Sequence, residues 1–202
     1  MELQTPFITP VAVFDFSKHL PLLRKLFITA REDNLFARNT LGFDTTLITY
    51  GKGQERNCLP QTEETVELRQ DIEDAIVELS TAMGYAVHNY ESVIEQFWLN
   101  EMASGLPQQK HSHYGYHLAG CFYVDMPDNS GKIIFSSPRE RWDYRPMDIE
   151  QHTVFNSSSW AFTPKEGQLF LWESWIHHFV PAATFEGMRR TAGFDVIMNR
   201  KK

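Results

Sequence analysis

Three of the chain's eight histidines fall within seven residues: His111, His113 and His117, in the stretch KHSHYGYH. On an extended segment residues two apart point to the same face, so His111 and His113 present both imidazoles to one side with Ser112 turned away. That is chelating geometry, and it needs at least one more ligand from elsewhere in the chain. The candidate is the pair His177 and His178 in FLWESWIHHFVPA, at the end of another strand-like run. Imidazole suits Fe, Zn, Cu or Ni alike, so ligand type does not choose the metal. His117 would share the face of His111 and His113 on an unbroken strand, but Gly115 allows a bend, and His117 is held in reserve as a residue behind the ligands. His19, His88 and His152 stand alone among polar neighbours and are read as ordinary side chains.

The elements that must position these residues change character along the chain. TPFITPVAVFDF opens as a proline-bounded strand and is followed by a helix capped at Ser17, with Leu20, Leu23, Leu26, Phe27 and Ala30 on one face. TTLITY (45–50) is a short β-branched strand and 51–61 a loop. Thr62, with acidic residues at 63 and 64, starts a second helix that carries Val66, Ile72, Ile76, Leu79 and Met83 and stops at Gly84. From residue 85 the pattern becomes short strands between turn signals: SVIEQFWLN, HLAGCFYVDM, SGKIIFSS, SWAFTP, GQLFLWES and TAGFDVIMN, with PDNSG (127–131) and PKEG (164–167) as turns. Helices first and antiparallel strands second predict a mainly β, α+β fold, a sandwich or open barrel backed by helices.

At 202 residues, with 42% hydrophobic and 13% aromatic content, one domain with a substantial core is expected over 1–202, with a mixed helical and strand part to about 84 and a β core over 85–199. No apolar run approaches the roughly 20 residues needed to cross a bilayer, and MELQTPFITP lacks the layout of a secretion signal, so a cytoplasmic protein without a membrane partner is expected. Cys58 and Cys121 form no CxxC and are read as reduced. A net charge of −7 opposes a broad nucleic-acid surface. Basic residues at 139–145 (RERWDYR) and Arg189, Arg190, Arg200, Lys201 and Lys202 leave room for an anionic small molecule. Dimerisation is left open, with a homodimer compatible with the sequence.

The order of these pieces resembles the double-stranded β-helix (jelly-roll, cupin-like) core of Fe(II)- and 2-oxoglutarate-dependent oxygenases. In particular it is similar to a mostly uncharacterised group of 2-oxoglutarate oxygenases that read W-x-N, H-x-H-P-G, S-G-x-x-Y, P-S-W-L-x-H-x-V-x-P and R-x-S-x-x-F-[ND], and more distantly to the prolyl 4-hydroxylase type. Trp98 and Asn100 carry the first motif, and His111, His113 and Gly115 the second, with Tyr114 in place of proline. Gly120 and Tyr123 carry the third; Ser174, Trp175, His178, Val180 and Pro181 the fourth; Arg190, Phe194 and Asp195 the last.

The resemblance implies an enzyme, a 2-oxoglutarate-dependent dioxygenase using Fe(II), 2-oxoglutarate and O2 to hydroxylate a small-molecule or peptidyl substrate with release of succinate. It implies His111 and His178 as iron ligands. The family's usual carboxylate position is here His113, and three arrangements stay open: a three-histidine site with His111, His113 and His178 as metal-binding catalytic residues, a carboxylate reaching in from Asp125 or Glu173, or a vacant position of the kind halogenases use. Arg190 is expected to clamp the distal 2-oxoglutarate carboxylate by paired charge-assisted hydrogen bonds, with Arg189 the alternative, since only one of two adjacent residues faces the interior. Arg190 is favoured because Phe194, four residues on, shares its face. Tyr123 is expected to donate to the same co-substrate. The long polar connection 136–159 is expected to touch substrate. Two readings compete: a cupin-like three-histidine metalloenzyme that does not use 2-oxoglutarate, and a catalytically degenerate binding module.

Overall fold

The structure, a computed structural model, describes residues 8–38, 47–49, 59–138 and 148–202. Residues 51–58 of the expected loop, with Cys58, half of the strand expected at 45–50, and the basic stretch 139–145 with Trp142 lie outside the described residues. Eleven strands among the described residues form two antiparallel sheets. The seven-stranded sheet runs β1 (Val11–Asp15), β9 (Gln168–Glu173), β6 (Leu118–Asp125), β11 (Met188–Arg200), β4 (Tyr90–Ala103), β3 (Leu47–Ile48), β2 (Ala37–Arg38). The four-stranded sheet runs β5 (Gln108–His111), β10 (His178–Val180), β7 (Ile133–Ser136), β8 (Ser159–Phe162). From β4 to β11 the chain alternates between the sheets, large, small, large, small, small, large, small, large. That winding is a double-stranded β-helix.

Two helices, α1 (Leu20–Glu32) and α2 (Glu63–Ala82), pack on the outer face of the large sheet. Alternation along each strand divides the core. Phe97, Leu99, Leu118, Phe122, Val124, Leu169, Leu171, Ala192, Phe194 and Val196 meet Leu23, Phe27, Leu68, Ile72, Ile76 and Leu79 of the helices. Ala119, Tyr123, Phe170 and Trp172, the opposite parity, meet Ile133, Phe135 and Ile176 between the sheets. The long β4–β11 ribbon, paired from Tyr90↔Arg200 to Ala103↔Met188, runs through the middle of the large sheet.

Two local expectations are corrected. Asp15, not Ser17, organises the first helix entry: its carboxylate accepts the Ser17 amide at 2.9 Å and the Ser17 hydroxyl at 2.5 Å, and a 3-10 turn over Ser17–His19 precedes α1. His19 is buried there, 2.6 Å from the Asp71 carboxylate, a structural side chain tying α1 to α2. In α2 the buried stripe is Thr65, Leu68, Ile72, Ala75, Ile76 and Leu79, and Val66 is exposed. No helix among the described residues is long and apolar enough to cross a membrane.

Candidate metal centre and co-substrate site

Strand pairing brings the histidines together. His178 lies directly opposite His111 in the β10–β5 pair, and their rings are 4.4 Å apart. His113, two residues past the rung, sits where its amide donates to the Ser174 carbonyl at 2.9 Å, while the Ser174 amide donates to the His117 carbonyl at 3.1 Å. These bonds lace the 111–117 segment to the end of β9. The ligand atoms of His111, His113 and His178 lie within 4.8 Å of one another, and among the described residues no carboxylate joins them.

Two rings of this cluster have the outer nitrogen hydrogen-bonded, and the third has it beside a carboxylate oxygen that is not aligned as an acceptor. His111 Nδ1 is 2.7 Å from the Gln109 carbonyl and His178 Nδ1 is 3.0 Å from the Ile176 carbonyl. His113 Nδ1 is 2.7 Å from Asp195 Oδ1, both side chains being at most 11% exposed. A carbonyl can only accept, so Nδ1 of His111 and of His178 carries the proton and Nε2 a lone pair. His113 Nε2 and His178 Nε2 stand 3.3 Å apart on rings only 3° from parallel. With its Nδ1 donating to the Ile176 carbonyl, His178 turns an Nε2 lone pair toward His113 Nε2, the arrangement a cation between the two rings would use. Two nitrogens each about 2.1 Å from one metal and at right angles to each other would be about 3.0 Å apart, so the donor set fits a divalent transition metal. Burial, then the neighbouring His111 and His113, holds the His178 pKa well below its ordinary value, so its ring is neutral and available as a ligand.

The cluster rests on aromatic walls. Trp98 stacks on His113 at 5.7 Å, and Trp172 meets His178 edge-on at 4.9 Å, with Phe135 5.7 Å from His178. Trp98 reaches this position because residue 193 on the facing strand is glycine: a Cβ there would lie 2.5 Å from the indole. Gly193→Ala is expected to displace Trp98 and destabilise the fold by about 1–3 kcal/mol, read as a lowered thermal midpoint. Gly120 plays the same part on the helix side, its missing Cβ occupied by the Phe194 ring.

Asp195 is a functional candidate whose link to His113 the sequence did not disclose. It supplies a carboxylate one bond-path behind the histidine that stands in the family's usual carboxylate position. Asp195→Asn keeps an acceptor for Nδ1–H and loses the charge; Asp195→Ala loses both. Fe(II) affinity measured by equilibrium dialysis is expected to fall by about 10- to 100-fold, more for Ala than for Asn.

The arginine assignment is corrected. Arg190 shares the face of Ala192 and Phe194, as expected, but that face meets the helices. Its guanidinium bonds Glu101 at 2.9 Å and Asp125 at 3.0 Å and lies 5.8 Å from the Phe27 ring. Arg189 is the interior residue, 4% exposed, 5.7 Å from the Tyr123 ring, with one nitrogen 3.9 Å from the Met102 sulfur. No carboxylate among the described residues pairs with it. The Arg189 Nε and the buried Tyr123 hydroxyl have no hydrogen-bond partner, nor does the Trp172 indole nitrogen nearby in the same layer. Burial, and then the neighbouring Cys121, pushes the Tyr123 phenol well above its ordinary pKa, and burial raises the Cys121 thiol to about 11, so both are neutral donors. A buried guanidinium without an anion, beside an unpaired phenol, fits the distal carboxylate of 2-oxoglutarate.

The remaining candidates lie elsewhere. Asp125 is bound by Arg24 and Arg190 on the helix side; burial raises its pKa, but those hydrogen bonds outweigh it and hold the carboxyl below its ordinary value. Glu173 accepts from the Tyr85 hydroxyl at 2.9 Å and lines a pocket of about 930 Å³ that His113 also lines. His117 Nδ1 faces the Met198 amide at 3.2 Å, away from the cluster, and the left-handed Gly115 (φ 89°) makes the bend that turns it out. His177 is exposed. From the described parts of the 136–159 connection, Ser136, Ser137, Pro138, Val154, Phe155 and Ser157 line a second cavity of about 380 Å³ walled by Phe135 and Ile176. The C-terminal basic residues do not cluster: Arg189 points inward, Arg190 is paired, and Arg200 lies at the far end of β11.

Comparison with known proteins agrees with this geometry. Residues 96–195 match the family described as "putative 2OG-Fe(II) oxygenase", a span that holds all three histidines, Tyr123, both arginines and Asp195. No curated protein sequence matches. Among solved structures, a Pseudomonas putida prolyl-4-hydroxylase is similar with a TM-score of 0.58 at 12% identity, over 96% of this chain and 94% of that one. A Trichoplax adhaerens prolyl hydroxylase, solved with a hypoxia inducible factor peptide, gives 0.60 at 13% identity over 93% and 83%. HygX from Streptomyces hygroscopicus, solved with nickel, 2-oxoglutarate and hygromycin B, gives 0.59 at 11% identity over 93% and 82%. At these identities the structures speak for the fold, and the family match, over just under half of the chain, and the histidine cluster speak for Fe(II)- and 2-oxoglutarate-dependent oxygenase chemistry.

Proposed function

We propose that the chain is a hydroxylase in which Nε2 of His111, His113 and His178 hold Fe(II), and Arg189, with Tyr123, holds the distal carboxylate of 2-oxoglutarate. The observation that carries this reading is the convergence of three imidazoles, two of them held from behind through Nδ1 by carbonyls and the third beside the Asp195 carboxylate. When bound, Fe(II) with 2-oxoglutarate and O2 supplies oxidative decarboxylation: CO2 leaves, one oxygen atom enters succinate, and the other enters a substrate C–H bond as hydroxyl. The protein's own part is positional. Trp98 and Asp195 fix the His113 ring, and the β10–β5 pairing fixes His178 against His111. Trp172, Phe135 and Ile176 keep the interior apolar, which strengthens the Arg189 interaction with an anion.

An unpaired buried arginine favours this reading over a cupin-like enzyme indifferent to 2-oxoglutarate, because such an enzyme has no use for an interior cation. Substrate approaches through the pocket that His113 lines, and the described ends of the 136–159 connection contribute from the second cavity. We read the chain as cytoplasmic, supported by two cysteines outside any CxxC arrangement and a buried, neutral Cys121 thiol.

Fe(II)-supplemented protein should release succinate from 2-oxoglutarate in proportion to O2 consumed, with the rate lost in His111→Ala. O2 uptake that proceeds equally without 2-oxoglutarate would transfer the site to the cupin-like alternative.

A further inference from the structure

The pocket of about 930 Å³ beside His113 has a composition that the chemistry at iron does not explain. Its lining holds four of the chain's exposed large aromatic side chains: Tyr114 at 93% exposure, Tyr85 at 56%, Trp175 at 47% and Tyr90 at 37%. None of them is needed for the core, and gathering them around one concavity marks a binding surface. Glu173 lines the same concavity. Its carboxylate is fixed by the Tyr85 hydroxyl and has no cationic partner among the described residues.

Glu173 is also close to the reaction centre along the chain: the next residue, Ser174, takes the His113 amide on its carbonyl. The single arginine of the lining, Arg200, lies at the other end. Glu173, Leu118 and Val196 share one rung across β9, β6 and β11. Arg200 is four residues beyond that rung, about 13 Å at 3.3 Å per residue. The pocket is therefore polarised, with its carboxylate beside the histidines and its guanidinium at the outer end.

Resting on the oxygenase reading above, we propose that the substrate carries a protonated amine or guanidinium, which is held near His113 by Glu173 and the π faces of Tyr85 and Trp175. An aromatic face attracts a cation through its quadrupole, and a fixed carboxylate adds a Coulombic attraction that a neutral ligand lacks and that any cationic nitrogen, quaternary or protonated, feels. The net charge of −7 draws cations toward the surface in the same sense.

The test uses an isosteric pair, choline and neutral 3,3-dimethylbutan-1-ol, titrated calorimetrically into anaerobic protein loaded with Fe(II) and 2-oxoglutarate, and into the metal-free protein. Saturable choline binding is expected, at least 10-fold tighter than the alcohol and weakened at least 10-fold by Glu173→Gln and by Trp175→Ala. Equal binding of the two probes, no saturable choline binding, or choline binding indifferent to Glu173→Gln overturns the proposal. The visible absorption of the loaded sample keeps the two readings apart: its presence with a failed choline test sinks only the cation site, and its absence sinks the oxygenase reading whatever choline does.

Discussion

Arg189→Ala is expected to weaken 2-oxoglutarate binding by about 100-fold, whereas Arg190→Ala leaves it within about twofold of the parent. The loss follows from what each guanidinium touches. A buried charge-assisted pair with a carboxylate is worth roughly 1.5–3 kcal/mol, and 2.7 kcal/mol corresponds to about 100-fold. Arg190 is committed instead to Glu101, whose side chain is fully buried and which Arg31 also contacts, and to Asp125. Arg190→Ala leaves Glu101 with one cation in place of two. It should lower stability by about 1–3 kcal/mol, read in a denaturant melt, without touching co-substrate affinity. Arg189→Lys separates charge from geometry: it keeps the cation, loses the planar fork, and should fall between parent and Ala. A 2-oxoglutarate affinity that drops with Arg190→Ala and holds with Arg189→Ala would reverse the assignment.

His178→Ala carries the largest expected effect, loss of Fe(II) affinity by more than about 100-fold, because a directly bonded ligand must cost at least what its outer hydrogen-bond partner does. His178 is the buried member of the cluster, packed between Trp172 and Phe135 and facing both other rings. The substitution also opens a cavity, so circular dichroism at the working temperature must show a folded chain before the metal result is read. A change at His117 serves as the contrast: its ring faces the Met198 amide, and His117→Ala should bind Fe(II) as the parent does.

Much of this site was legible in the sequence, and the errors have physical causes. The H-x-H spacing and a later histidine at a strand end were enough to point to His111, His113 and His178 together: one antiparallel rung sets His178 against His111, and His113, just past the end of β5, is laced to the end of β9. The two adjacent arginines take the faces opposite to those expected, Arg190 toward the helices and Arg189 inward. That Arg190 and Phe194 share a face was correct, but which face was taken the wrong way round: Phe194 fills the gap over Gly120 beneath the helices. The signal was present, since R-x-S-x-x-F-[ND] fits Arg189, Thr191, Phe194 and Asp195 with threonine for serine, and fits poorly when begun at Arg190. A strand read one residue out of step has every side chain on the opposite face, so the expected interior residue changes from Arg190 to Arg189.

Other features had no local signal. Asp125 belongs to the helix side because the β6–β11 register shifts between Arg190 and Thr191, and a bulge is set by tertiary packing. The contact of Asp195 with His113 joins residues far apart in sequence across two sheets; its trace was the acid that closes the last motif. Val66 was counted into the stripe of α2 on hydrophobicity alone, although Leu68 and Thr65 complete the buried face. Gly193 shows its purpose only when the Trp98 indole is seen lying over it.

The measurement that bears most directly on the central claim is an anaerobic titration of metal-free protein with Fe(II), followed by 2-oxoglutarate, watched through the visible charge-transfer absorption of the chelated complex. One Fe(II) per chain, with the absorption developing only when 2-oxoglutarate is added and failing in His178→Ala, is the result predicted. Failure to bind stoichiometric Fe(II), or stoichiometric binding with no response to 2-oxoglutarate, would contradict it.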